Sequence, residues 1–178
     1  MVPANWVASE KTIINERDTM HIREATLSDY RSFKKLQRQI HQLHVQERPD
    51  IYLNHRLDHE QFSLILNEKT IYLLEEDADI LAYAIIQMVD EPEDIRKNKQ
   101  KRKIVVIDEI CVEESYRSQG IGQFLFGKII LLAREVKAQA IELGVWEFNQ
   151  SAIKFYELLG MRTKTRRMEL ILEDVDKN

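Results

Sequence analysis

The 178-residue sequence predicts an α/β (α+β) fold, a central, mainly antiparallel mixed sheet with helices on both faces. Three observations predict it. Strand-like and helix-like segments follow one another as β-α-α-β-β-β-α-β-α-β, an order that packs naturally as a sheet between helices. One strand, Ile104-Val105-Val106-Ile107, is continuously apolar, as a strand covered on both faces must be. Two of the chain's five glycines fall in Tyr116–Gly122, between the end of that apolar strand at Val112 and a helical pattern starting at Ile121.

Taken in order, residues 1–19 show no sustained period and read as an N-terminal extension, so the folded domain is expected over 20–178. His21 to Ala25 alternates and reads as a first strand. Thr26 three residues before Asp29 announces a helix by a capping box, and Phe33, Leu36, Ile40 and Leu43 give it one apolar stripe. It should end before Pro49. Asp58-x-x-Gln61, with Leu57 and Phe62 placed as a hydrophobic staple, starts a second helix running to about Asn67.

Thr70 to Leu74 and Ile80 to Val89 read as a hairpin turned at Asp77-Ala78-Asp79. Asp90 to Lys103 is nearly all charge and reads as a long solvated loop. Lys97, Lys99, Lys101, Arg102 and Lys103 lack the interleaved aromatics that stack on bases, which argues against nucleic acid. After the apolar strand, Asp108 and Glu109 interrupt and Ile110-Cys111-Val112 resumes. A long helix from Ile121 carries Phe124, Leu125, Phe126, Ile129, Ile130, Leu132 and Val136 on a wide apolar face. Ala140 to Trp146 reads as a strand. Asn149 caps a helix through Ile153, Tyr156 and Leu159 that Gly160 ends, and Arg167 to Leu172 is expected as a last strand.

An apolar fraction of 44% and a charged fraction of 31% describe a globular domain with one core. No apolar run approaches the ~20 residues of a membrane helix. Residues 1–20 lack a secretory leader's basic start and apolar stretch, and Cys111 is the single cysteine, so a reducing cytoplasm is the expected home. The formal charge of −4 is a weak second argument against nucleic acid.

The chemistry concentrates in Tyr116-Arg117-Ser118-Gln119-Gly120-Ile121-Gly122. Glycines at a strand end and helix start let backbone N–H groups converge on an anion, aided by the helix dipole, and no Asp or Glu lies between Arg117 and Lys128 to oppose it. Alone, Gly-x-Gly is also an ordinary turn. The pattern Arg-x-x-Gly-x-Gly, filled by Arg117, Gly120 and Gly122 after a buried strand, resembles the acetyl-CoA signature of the GNAT superfamily of N-acetyltransferases. Ile107 to Val112 resembles that family's fourth strand. Asn149 to Met161 resembles its late motif, with Met161 where phenylalanine is commoner. The resemblance covers about residues 20–172.

No metal is expected, because His41 and His44, three apart, lack a nearby third ligand. The resemblance implies the GNAT acyltransferase fold and acetyl-CoA as cosubstrate. It implies cofactor contacts from Ile110, Cys111 and Val112 on a strand that bulges and splays, from Arg117, Ser118, Gln119, Gly120, Ile121 and Gly122 around the pyrophosphate, and from Asn149 along the pantetheine. Asn149 also reads as a plain N-cap, and Tyr156 as a core aromatic. Through the resemblance Tyr156 is the acid for the leaving thiolate. Glu109, on the bulging strand, is the candidate base; alternation sets it on the face opposite its competitor Asp108. His41, His44 and Glu147 are further candidates at the acceptor side, and Cys111 reads as a buried, inert thiol. The implied reaction is direct attack of a primary amine in a ternary complex. The acceptor is a small-molecule amine or a peptide or protein amine. Membrane and nucleic-acid partners are not expected, and a homodimer is one expectation. A non-catalytic module that keeps the fold for regulation or interaction is the alternative.

Overall fold

The computed structural model describes residues 19–172. The extension expected over residues 1–19 therefore lies, Thr19 apart, outside the described residues. The chain forms β1 (Met20–Glu24), α1 (Tyr30–Glu47), α2 (His59–Glu68), β2 (Thr70–Glu76), β3 (Asp79–Glu91), β4 (Arg102–Val112), α3 (Ile121–Glu135), β5 (Ala140–Leu143) and α4 (Gln150–Leu158), with single 3-10 turns at Leu27–Asp29, Ile95–Lys97 and Glu114–Tyr116. The five strands lie in sequence order in one sheet. Every neighbouring pair is antiparallel except β4 and β5, which α3 joins by the crossover that parallel strands require. The mixed sheet is the one the sequence predicts.

The two caps legible in the sequence form. The Asp29 carboxylate accepts from Thr26 N at 2.7 Å and Thr26 Oγ1 at 3.0 Å, and opens one 3-10 turn ahead of α1. At α2 the exchange is reciprocal, Gln61 N to Asp58 Oδ1 at 2.8 Å and Asp58 N to Gln61 Oε1 at 3.0 Å. Leu57 and Phe62 pack in the same cluster, as a staple does.

Alternation on β3 divides the core between the two faces. Tyr83 and Ile85 point to α1 and α2, where Phe33, Leu36 and Phe62 meet them. Ala82, Ala84 and Ile86 point to α3, where Phe124, Leu125 and Ile129 cover them.

Three elements differ from expectation. The β3–β4 ladder runs out to Glu91 opposite Arg102, so the loop expected over Asp90–Lys103 is shorter, because charged side chains on an exposed hairpin do not prevent backbone pairing. β5 stops at Leu143 rather than Trp146. Beyond it Trp146 turns away from the sheet, donating its Nε1–H to the Tyr52 hydroxyl at 2.9 Å. The last strand expected over Arg167–Leu172 does not form. The chain there is tied by ion pairs instead, Lys164 to Glu142 and Glu169 to Arg48, and pairs with no described strand.

Candidate active site

The turn between β4 and α3 is held in shape from both sides. Ser118 (φ 61°) and Gly120 (φ 80°) are both left-handed, and Gly120 is the N-cap of α3. The first helical bond runs from Phe124 N to Gly120 O at 3.0 Å, which leaves the N–H groups of Ile121, Gly122 and Gln123 without intrahelical acceptors. Arg117 braces the turn, donating Nε–H to the Val112 carbonyl and Nη2–H to Gln39 Oε1, both at 3.1 Å. Gln39, on α1, also accepts from Glu114 N at 3.1 Å. Gln119 donates to the Ser115 carbonyl at 2.9 Å, so its side chain closes the turn as well. A Cβ on Gly122 would lie 3.2 Å from Phe155 Cζ and 3.4 Å from Val112 Cγ2. Glycine here lets the first turn of α3 press against both β4 and α4.

Below the turn, β4 bulges. Ile86 pairs with Ile107 and Ile85 with Glu109, so Asp108 is the extra residue. The pairing with β5 ends at Ile107 and Leu143, and the β5-facing edge of β4 from Asp108 to Val112 has no strand beside it among the described residues. Both features are those the resemblance implies.

The bulge resets the alternation. Glu109 falls on the same face as Cys111, Tyr83 and Ile85, while Ile107 and Ile110 share the α3 face. The fully buried Tyr83 donates its hydroxyl to Glu109 Oε1. Burial pushes the Glu109 carboxyl up to about 7, against the opposing pull of the Tyr83 hydrogen bond, with Asp108 adding a like charge and Lys69 an opposite one. Asp108 is occupied by Gln87 at 2.6 Å and Lys69 at 3.1 Å. Tyr156 stands on the other face, half-buried against Phe126 and Phe155, and burial pushes its phenol up to about 12. Glu109 and Tyr156 thus flank the open edge of β4 from opposite sides of the sheet.

Asn149 caps α4, its Oδ1 accepting from Ala152 N at 3.1 Å, which leaves its amide N–H₂ free of the cap. Ile110 and Val112 are half-buried on the α3 face, and Ile121 is buried. Cys111 is buried, its thiol pushed up to about 12 by burial and directed at the Leu36 carbonyl, so only its backbone is offered to the open edge.

An aromatic group that sequence reasoning missed borders this end of the sheet. Tyr52 stacks on His44 with ring centroids 4.8 Å apart, Trp146 stacks on Phe148 at 5.6 Å, and Arg48 lies over Trp146 at 5.2 Å. Burial lowers the pKa of His44, and His41 is engaged with the Leu53 carbonyl at 2.9 Å. Glu147, exposed beside these rings, uses its carbonyl to accept from Gln150. The one signal for the cluster was Trp146-x-Phe148 directly after a strand. Tyr83 and Gln39 were missed because a strand tyrosine and a helix glutamine carry no motif.

Residues 37–161 match the model of the acetyltransferase (GNAT) family. A curated relative, an uncharacterized N-acetyltransferase of Methanocaldococcus jannaschii, is 39% identical over 67 residues, 38% of this chain; the match spans 30% of that relative's length. A tetramutant of the BH1408 protein of Bacillus halodurans is 37% identical with a TM-score of 0.80, over 85% of this chain and 99% of that one. Glucosamine-6-phosphate N-acetyltransferase from Arabidopsis thaliana, 19% identical with a TM-score of 0.61 over 88% of this chain and 100% of its own, shares the fold.

Proposed function

The chain belongs to the acetyltransferase (GNAT) family, and from that premise we propose an N-acetyltransferase that moves the acetyl group of acetyl-CoA to a primary amine by direct attack in a ternary complex. The observation that carries this reading is the turn before α3. Two left-handed residues and three N–H groups without intrahelical acceptors meet where no carboxylate follows before Lys128, which is what a bound pyrophosphate needs.

Acetyl-CoA, when bound, supplies the acetyl group as an activated thioester. The N–H groups at Ser118–Gly122 would hold its phosphates, the bare edge of β4 from Ile110 to Val112 would offer backbone groups to its amide-bearing arm, and the Asn149 amide would donate to the same arm. Glu109, with a pKa of about 7, takes the proton from the acceptor's ammonium group. A β4 N–H stabilises the oxygen that becomes anionic. Tyr156 keeps its proton at neutral pH, its pKa being about 12, and gives it to the leaving sulfur. The thiol of Cys111 has no part in the transfer. The acceptor is a small-molecule amine, or a peptide or protein amine. The rings of His44, Tyr52, Trp146 and Phe148 form one wall of its site.

Calorimetric titration with acetyl-CoA tests the reading. Micromolar binding is expected, lost in Gly120→Val and kept in Tyr156→Phe, with the latter's turnover lowered about a hundredfold in an amine screen. No binding at millimolar acetyl-CoA overturns it, and full turnover in Tyr156→Phe would remove Tyr156 as the acid.

A further inference from the structure

The rings beside the site are packed on one another and left half-exposed. His44 stacks on Tyr52 and Trp146 on Phe148, and the two pairs meet edge to face. They come from α1, the loop after it and the segment after β5, and none of the four is buried. Ile51 and Val145, the sequence neighbours of Tyr52 and Trp146, are exposed as well. Scattered apolar side chains on a surface are ordinary, whereas a contiguous patch of rings marks a place where something binds.

The charged and polar atoms of this patch already have partners within it. Trp146 donates its Nε1–H to the Tyr52 hydroxyl at 2.9 Å. Arg48, whose guanidinium lies over Trp146, donates to Asp50 at 2.9 and 2.7 Å and to Glu169 at 2.5 and 3.1 Å. Its charge is met by two carboxylates, and those carboxylates are met by it. A phosphorylated ligand therefore finds the Arg48 fork occupied, and a polyamine finds Asp50 and Glu169 engaged. Ring surface is what remains to be offered, with the Arg48 cluster as a polar rim on one side.

The patch also lies where the chemistry would end. Phe148 directly precedes Asn149, the N-cap of α4. Trp146 follows three residues after Leu143, where β5 ends and its pairing with β4 stops. Glu109 lies two residues past Ile107, the last paired residue of β4, on the face that α1 covers. The geometry points to a small primary amine with an aromatic body as the acceptor, its single ring packed on Tyr52, Trp146 and Phe148 and its nitrogen directed to Glu109. This rests on the transferase reading above and narrows its acceptor to one class. Apolar burial of a phenyl ring, with offset or edge-to-face contact to the wall, favours such an amine about 30-fold over the same amine without its ring.

Fluorescence titration tests it. Trp6→Phe leaves Trp146 as the single tryptophan, so its emission reports the wall directly and needs no turnover. With CoA present, 2-phenylethylamine should move that emission and bind about 30-fold tighter than ethylamine. It should also bind tighter than spermidine and glucosamine 6-phosphate. Phe148→Ala should weaken 2-phenylethylamine about tenfold, and Phe148→Tyr should restore it. With acetyl-CoA in place of CoA, kcat/KM should rank the amines in the same order. Tighter binding of spermidine, held by the exposed Glu147 beside the rings, overturns the inference, as does tighter binding of the sugar phosphate. So does an emission that no amine moves at ten millimolar. A peptide with N-terminal phenylalanine that binds over tenfold tighter than 2-phenylethylamine would make the acceptor a peptide and overturn it too. Failure to bind acetyl-CoA is a separate result, read by calorimetry. It sinks the transferase reading, while Trp146 emission still reports whether an aromatic amine sits on the rings. The ligand series in Trp6→Phe decides even if Phe148→Ala does not fold.

Discussion

Glu109 acquires its properties from one hydroxyl and one extra residue. Tyr83 sits opposite Cys111 on the neighbouring strand, two residues from the partner of Glu109, and reaches the carboxylate from a fully buried position. A hydrogen bond to the charged form lowers a carboxyl pKa, while burial raises it; burial wins here and leaves the value at about 7. The base proposed for Glu109 must be unprotonated, so on that proposal activity should fall as pH drops below that value. Removing the hydroxyl removes the one side-chain hydrogen bond that favours the carboxylate. Tyr83→Phe is therefore expected to move the acidic limb of the kcat/KM profile to higher pH, and Glu109→Gln to abolish that limb along with most activity. An unmoved limb in Tyr83→Phe would remove Tyr83 from this role. Arg117 reads differently in structure than in sequence. Two of its five guanidinium N–H groups bond Val112 and Gln39, so it also shapes the turn that it was expected to charge.

At the scale of elements, the same sequence signal can have two causes. Gly120 and Gly122 form one motif on paper, yet Gly120 is there for its left-handed backbone and Gly122 for the absence of a side chain against Phe155. The helix starts are simpler. Asp58 and Gln61 exchange bonds over three residues, so the cap was legible in the spacing alone. Asp58→Ala should cost about 1 kcal/mol of stability by denaturant unfolding, with its effect confined to α2 and the loop before it. Hydrogen exchange of residues 59–68 would locate the loss; an unchanged unfolding midpoint would mean that packing of Phe62 alone holds the helix. β5 is the opposite case. Its four paired residues were expected as seven, because Val145 and Trp146 are good strand formers whose place is decided by Tyr52 across the site.

The whole molecule is tied at its sheet edge by Arg23, which bonds Asp29 through two nitrogens at 2.8 Å and Glu75 at 2.9 Å. These contacts join β1, the start of α1 and β2. The Arg23 hydrogen bonds hold the Asp29 carboxyl down to about 2, below its ordinary 3.8. A depressed carboxyl contributes stability that is complete above the unfolded pKa and is lost as pH falls through the folded one. Asp29→Asn should therefore unfold at lower urea than the unsubstituted protein at pH 7, and the gap should shrink as pH falls from about 4 towards 2. A gap that stays constant over that range would assign Asp29 a capping role independent of its charge.

The sequence by itself determined the order of elements through α4, the two capped helices, the two-faced sheet and the glycine turn before α3, because each rests on contacts among residues close in the chain or on a strict period. Tertiary structure alone decided the rest. The bulge at Asp108, set by pairing with β3, turned Glu109 to the α1 and α2 face and under Tyr83, where alternation would have put it with Ile107. The aromatic wall joins residues some ninety positions apart, Tyr52 and Trp146 being 94 apart. The tail from Arg167 carries a strand's pattern, but it forms no strand, and β5 pairs with β4 alone among the described residues. Local pattern sets what a segment can become; which partner stands beside it is a property of the assembled fold.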